Sequence, residues 1–342
     1  MSLVRPIIVG LDGPTLSQAE QTWLSDLRPY GVILFSRNIE NPGQLRTLTA
    51  SIRNHLGDDV AILIDQEGGR VQRMKAPHWP NLPSALAIGK LWRRHQFEGL
   101  SAANALGQLI GSTLADAGIT HTCAPVLDLW HERADPVIGD RSFGSSPAEV
   151  IPLATAFIDG LSRTGVQGII KHLPGMGRAM TDSHHALPTL SASLDELATT
   201  DWLPFQRVSG VRWGMTAHVH VPEWGPGPVT TSPEAISQLR KHFGDIQLIS
   251  DCLTMGAISG SIEERIEAAL DAGVDLALYS NGTDEERERS VIASGPPRLV
   301  REQALSLKSL SAAQQQLQEE KLSRVQTLQT KTADPTWNRP SA

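Results

Sequence analysis

The feature that most constrains the fold is a series of eight short apolar runs, rich in β-branched residues, between Pro6 and Tyr279. Several are continuously apolar, such as GVILF at 31–35 and VAILI at 60–64. A strand with one solvent-exposed face alternates apolar and polar residues. An uninterrupted apolar run is instead typical of a parallel strand that is buried on both faces. The predicted strands are Pro6–Gly10, Gly31–Phe35, Val60–Asp65, Ile119–Ala124, Gln167–Lys171, Trp213–Val219, Ile246–Asp251 and Val274–Tyr279.

Stretches with helical spacing separate these runs. Strands that alternate with helices indicate an α/β fold with right-handed crossovers. Eight such units in about 280 residues fit a (β/α)₈ TIM-type barrel, which we predict as a single domain over residues 1–300. A doubly wound open sheet is the competing fold, but no glycine-rich dinucleotide fingerprint follows the first strand. The predicted helices are Ser17–Leu27, Asn41–Leu56, Ala102–Ala117, Pro147–Thr164, Ser193–Val208, Ser232–His242 and Ile262–Ala272.

The composition changes after Leu299, where glutamine, leucine, glutamate and lysine become frequent. We predict a C-terminal surface helix over 301–330 and a disordered tail over 331–342. No internal repeat and no second domain are visible.

Charge and cysteine content narrow the function classes. The chain has 342 residues and a net charge of −7, without a basic stripe that carries aromatic residues, so nucleic acid is not an expected partner. Cys123 and Cys252 lie far apart and form neither a disulfide framework nor a zinc motif, and we expect no metal and no cofactor. The N-terminal apolar run is too short for a signal peptide, and no run is long enough to span a membrane. We therefore expect a cytoplasmic monomer.

Polar residues stand at the ends of five predicted strands. Catalytic groups of such barrels lie at the carboxyl ends of the strands. A convergent set of donors and acceptors suits a polyhydroxylated ligand, although each residue could instead cap the helix that follows it. For His218, packing in the core is the favoured interpretation. The strand-end residues are Asp65 and Arg70, Asp128, Lys171 with His172, His218, and Asp251.

The segment KHLPGMGRAMTDSHHALP, which begins at Lys171, has no helix or strand period. Long irregular loops in compact domains are usually functional. Within it, Asp182 could orient the imidazole of His184 for general acid–base work. From the residues alone, an Asx-turn at Asp182 with a surface histidine is the favoured alternative.

A family resemblance runs in order from about Val4 to Asn281. The chain resembles the β-N-acetylglucosaminidases of glycoside hydrolase family 3, of the single-domain type used in bacterial cell-wall recycling. The motifs that carry the resemblance are GVILFSRNIENPGQL, LIDQEGGRVQRM, CAPVLDLW, DPVIGDRSFG, KHLPGMG with DSHHALP, MTAHV, LISDCLTMGAI and DAGVDLALYSN.

The resemblance implies a retaining exo-hydrolase that forms a covalent glycosyl-enzyme on Asp251. It implies that His184, paired with Asp182, is the acid/base. The implied substrate is N-acetylglucosamine linked to anhydro-N-acetylmuramic acid, with or without peptide. The residues implied to bind the sugar are Asp65, Arg141, Lys171 and His172, and Arg70 and Asp128 match motif positions nearby.

Two residues depart from the family pattern. Met176 stands where K-H-F-P-G-H-G has its second histidine, and Cys252 stands where S-D-D has its second aspartate. A sugar-binding pseudoenzyme is therefore an alternative, as is a β-glucosidase or β-xylosidase of the same family. We also expect the loop from Pro174 to Pro188 to be mobile in the free protein, or displaced from Asp251, because it lacks the apolar periodicity that would pin it.

Overall fold

A computed structural model describes residues 3–300 and 307–331, and this part of the chain contains eleven strands. They are β1 (Leu3–Gly10), β2 (Pro29–Leu34), β3 (Ala61–Ile64), β4 (Gln66–Gly68), β5 (Val71–Gln72), β6 (His121–Thr122), β7 (Gln167–Leu173), β8 (Trp213–Thr216), β9 (Gln247–Cys252), β10 (Leu276–Tyr279) and β11 (Arg298–Leu299).

Eight of these strands close into a parallel barrel. The order is β1, β2, β3, β6, β7, β8, β9 and β10, and β10 pairs with β1 in parallel, with Ile7 opposite Ala277. Each predicted apolar run corresponds to one barrel strand. The predicted (β/α)₈ fold is therefore confirmed, and closure excludes the open sheet. Outside the barrel, β11 pairs antiparallel with β1, and β4 and β5 form a small hairpin.

The uninterrupted apolar runs are explained by burial on both faces of the strands. In β1, Ile7 and Val9 pack in the layer between the barrel and the helices, while Ile8 lies in a second cluster with Ile33 and Leu63 of the neighbouring strands. Successive side chains of a strand point to opposite faces, so β1 must be apolar at every one of these positions.

Eleven helices are present in the described residues, most of them opened by a serine, threonine or asparagine cap. At α1, for example, Ser17 accepts from the amide of Glu20, while the Glu20 side chain accepts from that of Ser17. The helices are α1 (Gln18–Leu27), α2 (Pro42–Leu56), α3 (Ala85–Arg94), α4 (Gln96–Asp116), α5 (Pro147–Ser162), α6 (Leu194–Thr199), α7 (Leu203–Arg207), α8 (Pro233–Phe243), α9 (Ile262–Asp271), α10 (Asp284–Ala293) and α11 (Ala312–Lys331).

The helix prediction fails at three places. The predicted helix Ser193–Val208 is two short helices, α6 and α7, because Pro204 has no amide hydrogen for a helix interior and is accommodated in the first turn of α7. Helices α3 and α10 were not predicted. Six of the ten residues of α10 are charged, which hides the apolar face that buries Val291.

The C-terminal segment returns to the barrel wall. The amide of Leu310 donates to the hydroxyl of Ser112 on α4 at 2.7 Å, and Leu322 and Val325 of α11 are buried. The helix predicted over 301–330 thus begins at Ala312. Residues 301–306 and 332–342, which include nearly all of the predicted tail, lie outside the described residues. Among the described helices, none combines the length and apolar character needed to cross a membrane.

Candidate active site

A cavity of about 750 Å³ opens at the carboxyl ends of the barrel strands. Its apolar wall includes Phe35, Met215 and Leu278, and its polar wall holds most of the residues that the sequence singles out. Eight predicted site residues line it: Asp65, Arg70, Arg141, Lys171, His172, Asp182, His184 and Asp251. The residues that the strand-end rule selects therefore converge on one cavity at the carboxyl end of the barrel.

Five side chains on one side of the cavity form interlocking ion pairs, which we call the charge cluster: Asp65, Glu67, Arg73, Arg141 and Lys171. The ammonium of Lys171 lies 3.0 Å from Asp65 Oδ1 and 2.7 Å from Glu67 Oε1. Arg141 binds Glu67 through two bonds of 2.9 Å, and Arg73 Nη2 donates to Asp65 Oδ2 at 3.0 Å. Each carboxylate thus bridges two cations, so the members hold one another in place.

The charge cluster stays ionised although it is largely buried. Only 3% of the Lys171 side chain and 6% of the Glu67 side chain is exposed. Burial raises the pKa of Glu67, but the charges of Lys171 and Arg141 outweigh burial and bring this pKa to about 2. Burial opposes ionisation of Asp65 and Lys171 as well, but their mutual attraction holds the pKa of Asp65 below and that of Lys171 above its ordinary value. The cavity therefore presents fixed charges to its contents.

Asp128 has a different position from the one predicted. It is fully buried and lies behind the cavity wall, where Oδ2 contacts His172 Nδ1 at 2.6 Å and Oδ1 accepts from the amide of Met176 at 2.7 Å. Its assignment to sugar binding is wrong, because a carboxylate without exposed surface cannot reach a ligand. Asp128 instead orients His172, whose Nε2 is 3.5 Å from Arg141 Nη2.

Arg70 is half-exposed at the rim. Its Nε donates to Asp140 at 2.8 Å, and its Nη2 donates to the carbonyls of Pro136 and Val137. These bonds hold the loop that carries Arg141. Arg70 thus ties the rim together while it lines the cavity mouth.

Asp251 is the second-to-last residue of β9 and lines the cavity together with the charge cluster. In the closed barrel, β9 lies opposite β3 and is two strands from β7, which carries Lys171. Its Oδ1 accepts from the amide of Cys252 at 2.7 Å. The Cys252 sulfur lies 2.9 Å from the hydroxyl of Ser280 and 3.0 Å from that of Thr254. The thiol is therefore accommodated by neutral groups, in the place where the family pattern has a second carboxylate.

Asp182 and His184 form the predicted pair. Asp182 Oδ1 lies 2.7 Å from His184 Nδ1 and also accepts the amide of His184 at 2.9 Å. Since a carboxylate only accepts, Nδ1 carries the hydrogen and Nε2 is left for a ligand. Burial raises the pKa of Asp182, but the bonds from His184 outweigh it and lower this pKa. The Asx-turn and the pairing are thus both present at one carboxylate.

The catalytic loop, as we call residues 174–188, rests on the barrel mouth. Its Ser183 carbonyl accepts from the amide of Ala257, and its His184 carbonyl accepts from that of Gly256, both at 3.1 Å. Gly177 allows a close approach at the other end, where a Cβ would lie 1.9 Å from the Leu129 carbonyl. The loop is therefore docked on residues 256–257, and the expectation that it is mobile in the free protein, or displaced from Asp251, stays a prediction.

The sequence did not assign roles to Glu67 and Arg73. Both depend on the β4–β5 hairpin, which turns back directly after Asp65 and pairs Gln66 with Gln72. Its strands have three and two residues, too few for a periodic signal. The only available signal was the density of charges in DQEGGRVQR.

Comparisons with known proteins agree with this geometry. Residues 4–328 match the glycosyl hydrolase family 3 N-terminal domain. The chain is 37% identical over 324 residues to a β-hexosaminidase of Neisseria meningitidis, covering 91% of this chain and 88% of the relative. It is 38% identical over 285 residues to a β-hexosaminidase of Alkalilimnicola ehrlichii, covering 82% and 81%.

Solved structures give the same result. The crystal structure of native NagZ from Neisseria gonorrhoeae superimposes with a TM-score of 0.80 at 30% identity, covering 94% of this chain and 98% of that one. A complex of the same enzyme with N-trifluoroacetyl-D-glucosamine superimposes with a TM-score of 0.78 at 30% identity, covering 97% and 99%. The fold, the cavity and the matched length together confirm the resemblance, and the chain belongs to glycosyl hydrolase family 3.

Proposed function

We propose that this glycoside hydrolase is a retaining exo-β-N-acetylglucosaminidase in which Asp251 is the nucleophile and His184 the acid/base. One observation carries the proposal. Asp251 and the Asp182–His184 pair line the same cavity as the charge cluster, so a nucleophile, a proton donor and fixed sugar-binding charges surround one space.

The residues support a two-step reaction. In the first step, a carboxylate oxygen of Asp251 attacks the anomeric carbon, and His184, protonated at Nε2, gives that proton to the departing glycosidic oxygen. In the second step, Nε2 takes a proton from water, the water oxygen attacks the anomeric carbon, and the bond to Asp251 breaks. Asp182 keeps the imidazole oriented and stabilises its cationic form. Two displacements at one carbon retain the configuration.

The charge cluster is suited to hold the sugar. Hydroxyl groups both donate and accept, and the cluster offers carboxylate oxygens next to guanidinium and ammonium hydrogens. Because these groups are already fixed by one another, binding would require little further ordering of side chains. Asp65, Arg141, Lys171 and His172 are the proposed sugar ligands, and Arg70 would meet the part of the substrate that leaves the mouth.

The proposed substrate is N-acetylglucosamine linked to anhydro-N-acetylmuramic acid, with or without peptide, degraded in the cytoplasm during peptidoglycan recycling by a monomeric enzyme. The β-hexosaminidase names of the relatives and the N-trifluoroacetyl-D-glucosamine complex of the Neisseria enzyme support the choice of sugar. The leaving half follows from the family resemblance. Its test is a comparison of kcat/KM between this disaccharide and a β-linked N-acetylglucosamine dimer.

Asp251→Asn tests the mechanism. The change keeps volume and removes the attacking oxygen, so we expect normal folding and a loss of hydrolysis of about 10⁵-fold or more. The assay is release of 4-nitrophenol from its β-N-acetylglucosaminide. The matched control is Asp245→Asn, at an exposed aspartate remote from the cavity, which we expect to leave kcat unchanged. A wild-type protein that binds N-acetylglucosamine without hydrolysing the aryl glycoside would instead be the sugar-binding pseudoenzyme.

A further inference from the structure

His218 is a fully buried histidine at the end of β8 that the proposed reaction does not use. Its Nε2 lies 3.0 Å from the backbone carbonyl of Cys252. A carbonyl only accepts, so Nε2 carries a hydrogen and donates it. Burial lowers the pKa of His218, which favours the neutral ring. The other ring nitrogen, Nδ1, therefore has a free lone pair.

Thr230 faces that lone pair. Its hydroxyl oxygen lies 2.9 Å from His218 Nδ1 and 2.9 Å from the hydroxyl of Thr216. The Ala217 carbonyl, at 3.1 Å, is a second acceptor for the single Thr230 hydrogen. The shorter contact is to Nδ1, and donation there leaves the Thr230 oxygen to accept from Thr216. This arrangement fixes the tautomer with the hydrogen on Nε2.

Cys252 connects the imidazole to the nucleophile. Its carbonyl accepts from His218, while its amide donates to Asp251 Oδ1 at 2.7 Å. The main chain of this one residue is thus held by His218 on one side, and it holds the Asp251 carboxylate on the other. A free carboxylate at a strand end could rotate about its side-chain bonds, whereas this one has a fixed oxygen.

We propose that His218 is a positioning residue for the nucleophile, which acts through the Cys252 main chain and is itself oriented by Thr230. The inference rests on the proposed role of Asp251. In this role His218 does not need to contact the sugar. Loss of the imidazole should therefore change the rate of the chemical steps and leave sugar binding, which depends on the charge cluster, unchanged.

The experiment compares His218→Asn with His218→Gln, which carry the same amide group on side chains of different length. The side-chain nitrogen of glutamine lies close to the place of Nε2 and can donate to the Cys252 carbonyl, while that of asparagine stops near Nδ1. We expect His218→Asn to lower kcat for the 4-nitrophenyl substrate by about 100-fold, since small displacements of a reacting group have effects of this size. We expect His218→Gln to stay within about tenfold of wild type. The dissociation constant of N-acetylglucosamine should be the same in all three proteins.

His121 supplies the matched control. It is buried at the opposite end of the barrel, and its Nδ1 likewise contacts a threonine hydroxyl, that of Thr120, at 2.8 Å. His121→Asn and His121→Gln repeat the chemical changes and the packing defects far from Asp251. We expect them to lower the melting temperature about as much as the His218 changes do while kcat stays near wild type.

A second variant covers the case in which the His218 proteins do not fold. Thr230→Val keeps the shape and removes only the hydroxyl that orients the imidazole, and we expect a decrease in kcat of about tenfold with unchanged sugar affinity, restored by Thr230→Ser. Equal kcat losses in the His218 and His121 series, a loss confined to sugar affinity, or wild-type kcat in Thr230→Val would each overturn the inference. An inactive wild-type protein would contradict the proposed function itself, which separates the two failures.

Discussion

The charge cluster and the catalytic loop line one cavity, but their side chains are held in place in different ways. The cluster sits at strand ends and is largely buried, with side-chain exposure from 3% at Lys171 to 28% at Arg73. On the loop, 60% of the His184 side chain is exposed. In the cluster, Asp65, Glu67 and Lys171 each have two ion-pair partners. His184 is instead oriented by Asp182, two residues away, and its loop is docked through main-chain bonds to 256–257.

The difference corresponds to two requirements of the proposed reaction. Groups that recognise the sugar gain affinity from being fixed before it arrives. A group that delivers and removes a proton needs access for leaving group and water, and loops of low stability are suited to such a gating role. The comparison predicts that changes in the cluster affect folding as well as activity, while changes in the loop affect activity alone.

The largest expected effect is on the cluster itself. Lys171→Met leaves Asp65 and Glu67 buried without their shared cation, and breaking a buried ion pair from one side typically costs about 3–5 kcal/mol. Urea denaturation measures the free energy of unfolding. Lys241→Met, at an exposed lysine on α8, is the control and should stay within about 0.5 kcal/mol. Equal effects of the two substitutions would mean that the cluster contributes nothing to stability.

Substitutions in the catalytic loop should lower activity without lowering stability. His184→Ala should fold with wild-type stability, hydrolyse substrates with poor leaving groups about 10³-fold more slowly, and lose much less on an aryl glycoside with a good leaving group. Azide, which needs no base, should restore turnover and give a β-glycosyl azide. His185→Ala, at the exposed neighbour, is the control. A loss that is the same for good and poor leaving groups, together with no azide effect, would remove His184 from the acid/base role.

The charge cluster should make the free energy of unfolding depend on pH in the acidic range. The pKa of Glu67 is lowered to about 2 from the 4.5 of a free glutamate, so its contribution to stability is complete above about pH 4.5 and is lost as the pH falls towards 2. Between pH 5 and pH 3 this one group should cost the wild type about 2 kcal/mol of unfolding free energy. Glu67→Gln should flatten the dependence, measured by urea midpoints. The pKa of Asp182 is also lowered, but its partner His184 is 60% exposed, so Asp182→Asn should flatten the dependence less. An equal or larger flattening there would contradict the contrast between the two regions.

The smallest expected effect is at Met176. The tether between the catalytic loop and Asp128 uses the amide of Met176 and not its side chain. Met176→Leu, which keeps volume and apolar character, should therefore change stability by less than about 1.5 kcal/mol and kcat by no more than about twofold. Asp128→Asn is the informative comparison. Asparagine keeps one acceptor oxygen, and its NH₂ group cannot accept, so the bond from either His172 or Met176 is lost. If Met176→Leu impaired turnover as much as Asp128→Asn, the side chain would be part of the tether.

The barrel could be predicted because its signal is local. Burial of β1 on both faces requires apolar residues at Ile7, Ile8 and Val9, and the same pattern recurs at β2, β3, β7, β9 and β10. The rule that chemistry lies at carboxyl strand ends then located Asp65, Lys171 and Asp251 at one rim. Helix α10 was not predicted because its apolar face is too small to give such a local period.

The sequence by itself determined the fold class, the end of the barrel that carries the cavity, and, through ordered motifs, the family. Only the tertiary structure decided the partnerships: Glu67 between Lys171 and Arg141, Asp128 behind His172, and the catalytic loop docked on 256–257. The physical reason is the separation along the sequence of the residues that interact. Strand and helix periods arise between residues a few positions apart, whereas Asp65 and Lys171 meet across 106 positions of the chain. An ion pair or a docking bond of that span exists only after the barrel has closed.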